Sequence, residues 1–434
     1  MLTKEDNEMI TQVGPGTPMG ELFRRFWLPV MLSEEVPGSD STPIRLQILG
    51  ETLIAFKDSE GKVGIVDAYC PHRGAPMFFG RNEDCGLRCV YHGWKFDVDG
   101  KCVDLPNSPE GDTYKDKVTI ASYPAVEKAG MVWAYMGPKD KQPPLPAFDF
   151  MDLPAENMYV MKFVLKCNYL QGMEGDYDPS HAGYLHSTLD DNASNQAVAV
   201  GQVGNTFEDP MPRYVDIEDT DAGIEMVSKA QLSNGQLVSL GHWMMPIFCT
   251  AGIAGPGIFS SNMRIPIDDE NTMFFRFRWS FDAIPDYEIK EYKYGNYTHP
   301  ELVPGTFLPV ENMQNDYKID RVAQKNYSFT GIKNFPLQDI AMMEDQWGPI
   351  ADRTQEHLLT SDEGIIRVRQ RLIRTARKLM EGSEPTEPWA PDAYKVKTVR
   401  KFFASDVLLE KAVAEVKSQR LTTRRPMIEM EAGG

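Results

Sequence analysis

The sequence predicts an α+β chain with a small antiparallel β domain near the N-terminus. A larger α+β domain follows, with a central antiparallel sheet flanked by helices. Three observations predict this. Short alternating apolar runs fill the stretch from 43 to 136, broken by turn signals. A Pro-rich polar segment, Pro138-Lys139-Asp140-Lys141-Gln142-Pro143-Pro144-Leu145-Pro146, then reads as a linker. Beyond it, strand-like and helical patterns mix. At 434 residues the chain is also too long for one small core. The expected parts are a segment 1–42 packing on the second domain, a β domain 43–140, and the second domain 141–434.

Taken in order, Gly14-Pro15-Gly16-Thr17-Pro18 is a turn cluster, and 19–26 has helical spacing with Arg24 and Arg25. Runs at 44–49, 52–56 and 63–66 read as strands, with turns at Glu60-Gly61-Lys62 and Asp99-Gly100-Lys101. Residues 132–136 read as the last strand of this domain. In the second domain, strands are expected at 197–203, 223–228 and 273–279. A helix is expected over 362–381, where Ile365, Ile366, Val368, Leu372 and Leu379 form an apolar stripe and Gly382 is a stop signal. Another is expected over 405–417, with Ser405 as its N-cap.

Composition is that of a globular protein: 42% hydrophobic, 25% charged, 10% aromatic. A formal net charge of -18 repels phosphate backbones and argues against nucleic acid. The most apolar stretch, 243–259, is interrupted by Pro246 and Pro256 and is too short to span a bilayer. The opening Met1-Leu2-Thr3-Lys4-Glu5-Asp6 lacks a targeting pattern, so a cytoplasmic location is expected. Six cysteines make no disulfide framework, but four lie between 70 and 102, a spacing that suggests a metal.

Cys70-Pro71-His72-Arg73-Gly74 recurs in altered form as Cys89-Val90-Tyr91-His92-Gly93. Two thiolates and two imidazoles suit either zinc or a Rieske [2Fe–2S] cluster. A Cys2His2 zinc finger puts both Cys in one arm and both His in the other. Here each arm holds one of each, so each can present a Cys to one iron and a His to the other. The Gly after each pair permits close backbone approach. Cys70-x-His72 with Cys89-x-x-His92-Gly93-Trp94 resembles the Rieske signature of bacterial ring-hydroxylating oxygenases. Rieske proteins of respiratory complexes add a disulfide, whose cysteines would fall at Ala75 and Tyr91. Its absence implies a low-potential cluster suited to electrons from NAD(P)H. Cys85 and Cys102 read as ordinary buried thiols.

The segment Asp178-Pro179-Ser180-His181-Ala182-Gly183-Tyr184-Leu185-His186 holds two of only seven histidines. Two His and a carboxylate with open positions form the facial triad of non-haem Fe(II) oxygenases. The spacing of Asp178, His181 and His186 resembles the catalytic motif of the same oxygenases. The resemblance implies that Asp178 bridges a His iron ligand to a cluster His of a neighbouring subunit; Glu174 and Asp176 are rivals. It also implies a late carboxylate ligand. Asp339, five before Glu344, fits, with Glu344 and Asp345 as alternatives. His242, His299 and His357 read as structural.

Segments 12–29, 265–270 and 350–363 resemble the phthalate 4,5-dioxygenase type of oxygenase, so the likeness covers nearly the whole chain. It implies the oxygenase component of a multicomponent system acting on an aromatic substrate and O2, with an aromatic acid expected. A separate flavin and iron–sulfur reductase would supply the electrons, and a homotrimer or a dimer of trimers is implied. Ring dioxygenation, monooxygenation and O-demethylation of a methoxylated acid stay open. Region 201–257 is expected to line the pocket, with Met244 and Phe248 against substrate. Its candidate cations are Arg213, Lys229 and His242, which favours a mono-acid, phenolic ether or neutral aromatic over phthalate. A Rieske electron carrier without oxygenase activity is the other reading. It predicts about two irons per chain against about three for the oxygenase. A zinc protein would be colourless.

Overall fold

The alternating runs of the first domain form strands at Ile44–Ile48, Glu51–Lys57, Val63–Asp67 and Ser122–Tyr123, hydrogen-bonded in that order. A computed structural model describes residues 1–109, 113–189, 212–232, 234–255, 257–294 and 299–421. A second sheet of four short strands, Arg81–Glu83, Gly86–Arg88, Lys95–Phe96 and Cys102–Asp104, packs on the first. Ile54, Phe56, Val66, Met77, Leu87 and Phe96 form the core between them. Turn chemistry fixes the register. Asp97 Oδ1 accepts from the N–H groups of Asp99 and Lys101, and Gly100 takes φ +79.

The expected strand at 132–136 is observed as Met131–Tyr135, but its neighbours include Trp27–Leu32. The N-terminal segment therefore also closes a three-stranded sheet, Trp27–Leu32, Met131–Tyr135 and Ala125–Lys128. Its helices Lys4–Thr11 and Pro18–Phe23 lie against the long helix Glu363–Met380. Thr17 caps the second of them by accepting from Gly20 N–H, with Pro18 at its first position.

The second domain is built on one antiparallel sheet. Its strands run Met158–Leu165, Thr272–Trp279, Ile258–Pro266, Phe248–Gly255, Gly235–Met244, Gly223–Leu232 and Arg213–Asp219 in spatial order. Val399–Ala404 pairs with the first half of Gly235–Met244, beside which Phe248–Gly255 pairs only at Trp243 and Met244. Period-two alternation gives this sheet two kinds of wall. The cross-strand pairs Met263 with Phe275 and Ile265 with Met273 enter the main core. The alternate pairs, Asn262 with Arg276 and Arg264 with Phe274, line a cavity. The strand expected at 197–203 lies outside the described residues. The helix expected from Ser405 begins later, at Leu409–Ser418. The chain must first turn out of strand Val399–Ala404, and the Val407 N–H donates to Ala404 O there. Among the described residues, no helix is long and apolar enough to cross a membrane.

Helix Tyr169–Tyr177 is anchored by a buried ion network. Glu174 accepts from Arg353 Nη2 at 3.1 Å and from Arg369 Nε at 2.6 Å, and Arg369 makes a two-pronged pair with Glu356. Arg353 is fully buried. Glu174→Ala would take the carboxylate partner from fully buried Arg353 and leave Arg369 with Glu356 alone, and a loss of about 3–5 kcal/mol of stability is expected, read as a lower denaturant midpoint. An unchanged midpoint would show that water replaces the carboxylate.

Candidate active site

The two Cys/His loops share one hydrogen-bond pattern. Cys70 N–H donates to Ala75 O and Gly74 N–H to Cys70 O; Cys89 N–H donates to Trp94 O and Gly93 N–H to Cys89 O. Gly74 and Gly93 sit at φ +69 and +83. A Cβ on Gly93 would lie 2.6 Å from Pro106 Cγ, so only glycine closes this loop. The folding places Cys70 and Cys89 inside and both histidines half-exposed at the tip. The rings of His72 and His92 are 4.5 Å apart, and His72 stacks on Trp94 at 4.3 Å. Trp94 is itself fixed by Nε1–H donating to Asn107 Oδ1. Burial pushes the Cys70 thiol up to about 11, so a thiolate there requires a cation to hold it. The site is two buried sulfurs backed by two neighbouring imidazoles, and these residues fit a cluster rather than a disulfide. All six cysteines are unpaired with one another. Cys102 is buried as expected, whereas Cys85 is only partly so.

The second constellation assembles from two helices. Asp178 caps the end of Tyr169–Tyr177, and His181 and His186 flank the short helix Ala182–Leu185. Asp339 comes from helix Phe335–Met343, whose start is set by Pro336 and by Asn334 accepting from Leu337 N–H. One turn before Asp339, Phe335 stacks on His186 with centroids 4.0 Å apart. Asp339 Oδ1 lies 3.1 Å from His186 Nε2 and 3.6 Å from His181 Nε2. One donor atom from each of the three lies within 4.8 Å of the others.

The outer nitrogens are committed. His181 Nδ1–H donates to Asp178 O at 2.9 Å, and His186 Nδ1–H donates to Gln338 Oε1 at 2.8 Å. Gln338 is oriented by Nε2–H donating to Ile332 O. Both Nε2 lone pairs therefore converge on a carboxylate whose Oδ1 is buried without a hydrogen-bond partner. Such an arrangement is repulsive until a cation sits in it. A proton can stand in for that cation: burial pushes Asp339 up, but the positive charge that His186, and after it His181, carries when protonated more than offsets this and holds the carboxyl below the usual range. The rivals for Asp178 have other partners. Glu174 holds the ion network, and Asp176 accepts from Arg264 at 2.8 and 3.0 Å and from Asn262 at 2.6 Å. Glu344 accepts from Lys166 N–H and Tyr317 Oη–H, away from the histidines.

Two family models match the chain, a Rieske [2Fe–2S] domain over 26–124 and a "LigXa C-terminal domain like" model over 134–402. The second spans more than half the sequence. The chain belongs to the Rieske oxygenases. The oxygenase is 36% identical over 402 residues to the 3-chlorobenzoate-3,4-dioxygenase oxygenase subunit of Comamonas testosteroni, covering 87% of this chain and 89% of that one. It is 37% identical over 386 residues to the phthalate 4,5-dioxygenase oxygenase subunit of Pseudomonas putida, covering 86% of each. It is 32% identical to the 5,5'-dehydrodivanillate O-demethylase oxygenase subunit of Sphingobium sp., covering 100% of this chain and 91% of that one. The crystal structure of dicamba monooxygenase bound to dicamba shares the fold, at TM-score 0.56 and 19% identity over 83% of this chain and 99% of that one. The oxygenase is thus an oxidoreductase component that carries a Rieske domain.

A cavity of about 270 Å³ lies against the histidines and Asp339. Met226, Ser228, Leu237, Ser239 and Phe274 supply much of its wall. Two expectations are corrected here. Met244 and Phe248 are absent from the lining; they are buried in the main core, where Phe248 packs edge-on to Phe148. Their apolarity reflects core packing. The cations of this oxygenase also come from elsewhere. Arg264, Arg276 and Arg400 reach the cavity, whereas Arg213 and Lys229 do not line it. They lie beyond the window 201–257, on strands whose alternation places every second residue in the cavity wall. The cation count gives no reason to set phthalate-like acids aside. The His242 side chain lies across the ladder from Glu225, on the face that carries Val227 and Leu240 rather than on the cavity wall of Met226, Ser228 and Ser239.

Proposed function

We propose that the oxygenase hydroxylates an aromatic acid with O2 and NAD(P)H-derived electrons. Cys70, His72, Cys89 and His92 would hold the [2Fe–2S] cluster, and His181, His186 and Asp339 a mononuclear Fe(II). The observation that carries this reading is the orphaned Asp339 carboxylate oxygen between two tautomer-locked imidazoles, opening on a cavity of aromatic size. When bound, the two centres supply electron transfer and oxygen activation. The chain's own residues do the rest. Gln338 and the Asp178 carbonyl hold the imidazoles in one orientation. Phe335 shields His186 from water, and Arg276 places positive charge close to His186, suited to a substrate carboxylate. Asp178 offers a carboxylate to a neighbouring chain's cluster histidine.

Exposed Tyr69, Phe79, Val90 and Tyr91 surround the cluster tip, and exposed Tyr184, Tyr327, Phe329 and Met342 lie near the histidines or the Asp339 helix. Two different apolar patches suit head-to-tail association into a closed ring, supporting a homotrimer. A flavin and iron–sulfur reductase is the expected electron source. The decisive test is incubation of the metal-loaded protein with such a reductase, NADH, labelled O2 and a panel of aromatic acids. Label in a ring hydroxyl supports the proposal. Cluster turnover with no label in any product would leave only the electron carrier. The full-length likeness to an O-demethylase subunit favours a second reading, in which a methoxy carbon is hydroxylated and formaldehyde released.

Gln338→Leu removes the acceptor that orients His186. We expect the mononuclear iron to bind about 10- to 100-fold more weakly while the cluster absorbance is unchanged. Unaltered iron retention on dialysis against a chelator would show that the amide is dispensable.

A further inference from the structure

Helix Tyr169–Tyr177 ends in an unusual charge pattern. Glu174 and Asp176 lie in its last turn, Asp178 follows at its cap, and the last turn holds no basic residue. Carboxylates are disfavoured at a helix C-terminus, where the dipole is negative. Two of the three are neutralised from outside. Residues two apart point to nearly opposite sides of a helix, and these two are gripped by different elements. Glu174 meets Arg353 and Arg369, the latter on helix Glu363–Met380. Asp176 meets strand Ile258–Pro266. Arg264 donates to it through Nε at 3.0 Å and Nη2 at 2.8 Å, and Asn262 through Nδ2 at 2.6 Å. The Asp176 and Arg264 side chains are 5% and 4% exposed. The carbonyl of the intervening Tyr177 accepts from Tyr214 Oη–H.

Arg264 is itself fixed. Its guanidinium carbon lies 3.5 Å from the centre of the Phe274 ring, and it passes Gly172, where a Cβ would come within 3.0 Å of Nη1. The pair thus ties the cavity wall to the chain two residues before Asp178. A buried ion pair is weak evidence for stability, since apolar residues often replace one at no loss. What its two-pronged geometry supplies is direction. Asp178 has no such grip among the described residues: its carboxylate meets only Ser180 and His181 of its own loop, so its place is inherited from the helix end. We propose that Asp176 is a positioning residue. Clamped by Arg264 and Asn262, it sets where Asp178 presents Oδ2 to the neighbouring chain's cluster histidine. This rests on reading Asp178 as the electron bridge.

The test compares two variants loaded with both metals. The paired change Asp176→Leu with Arg264→Met removes the clamp and strands no charge; Arg264→Lys keeps the charge and loses the fork. The paired variant is expected to keep about three irons per chain. Hydrogen exchange across 178–181 should be about 10-fold faster, and single-turnover oxidation of the chemically reduced cluster about 10- to 100-fold slower. The Lys variant should fall between it and the wild type. In an Asp178→Asn background the paired change should slow oxidation no further, because it acts through Asp178. If the paired variant does not fold, Arg264→Lys and Asn262→Ala carry the same comparison. Oxidation at the wild-type rate, or slow oxidation without faster exchange at 178–181, overturns the role of the clamp alone. A further slowing in the Asp178→Asn background does so too. If Asp178→Asn by itself leaves oxidation at the wild-type rate, the bridge reading falls, and the clamp proposal with it.

Discussion

Asp339→Ala is expected to lower the iron content from about three to about two per chain, with acid-labile sulfide unchanged, and to lower product formation on the order of 10³-fold or more. The magnitude is the rate equivalent of the several kcal/mol that a catalytic metal contributes. The reason is geometric. Asp339 supplies the only anionic donor among the three converging atoms, and its Oδ1 has no other partner among the described residues. Removing it leaves two neutral imidazoles, too few for tight Fe(II) binding. The cluster loops share no residue with this helix, so the red-brown colour should persist. Elemental analysis and product yield are read together. Retention of about three irons with normal yield would move the third ligand elsewhere, and Glu344 is poorly placed to take over because Lys166 N–H and Tyr317 already occupy its oxygens.

Much of this architecture is legible in the sequence because it rests on local rules. Alternation located the short strands, and the split Cys/His arms located the cluster loops. Their observed hydrogen bonds repeat residue for residue, as the repeated motif implies. The stripe over 362–381 gives helix Glu363–Met380 almost to the residue. What was illegible depends on distance in sequence. Trp27–Leu32 closes on Met131–Tyr135 across a whole domain, which no local pattern encodes. Met244 and Phe248 have the composition of a pocket wall and of a core wall equally, and only the third dimension separates them. Arg276 sits in an apolar run, Phe274-Phe275-Arg276-Phe277-Arg278-Trp279, whose alternation carries a signal that could have been read: a strand with charge on every second residue has one polar wall. Gln338 had a weaker signal, its place beside the candidate ligand Asp339.

Asp178→Asn should leave both metal centres filled and yet slow turnover by about 100-fold or more, a magnitude expected of a group that tunes a metal's histidine ligand. The resemblance to ring-hydroxylating oxygenases implies that the Asp178 side chain holds His181. The structure divides the labour differently. The backbone carbonyl of Asp178 accepts the His181 Nδ1–H at 2.9 Å, which any residue at this position can do. Carboxylate Oδ1 is taken up by Ser180 N–H and Oγ–H, both at 2.7 Å. Oδ2 stands 3.7 Å from His181 Nδ1 and is the oxygen left for an imidazole arriving from outside the chain. Asparagine keeps the carbonyl bond, and its amide oxygen can keep the turn with Ser180, so iron binding should survive. It replaces a charged acceptor with a neutral amide, so it cannot hold an incoming imidazole N–H as a carboxylate does. The step to follow is oxidation of the chemically reduced cluster when substrate and O2 are mixed with the protein in a single turnover. Slow cluster oxidation with normal iron content is the expected result. If the cluster oxidises at the wild-type rate and the product yield is unchanged, the electron does not pass through Asp178, and the case for a ring of chains loses its mechanistic support.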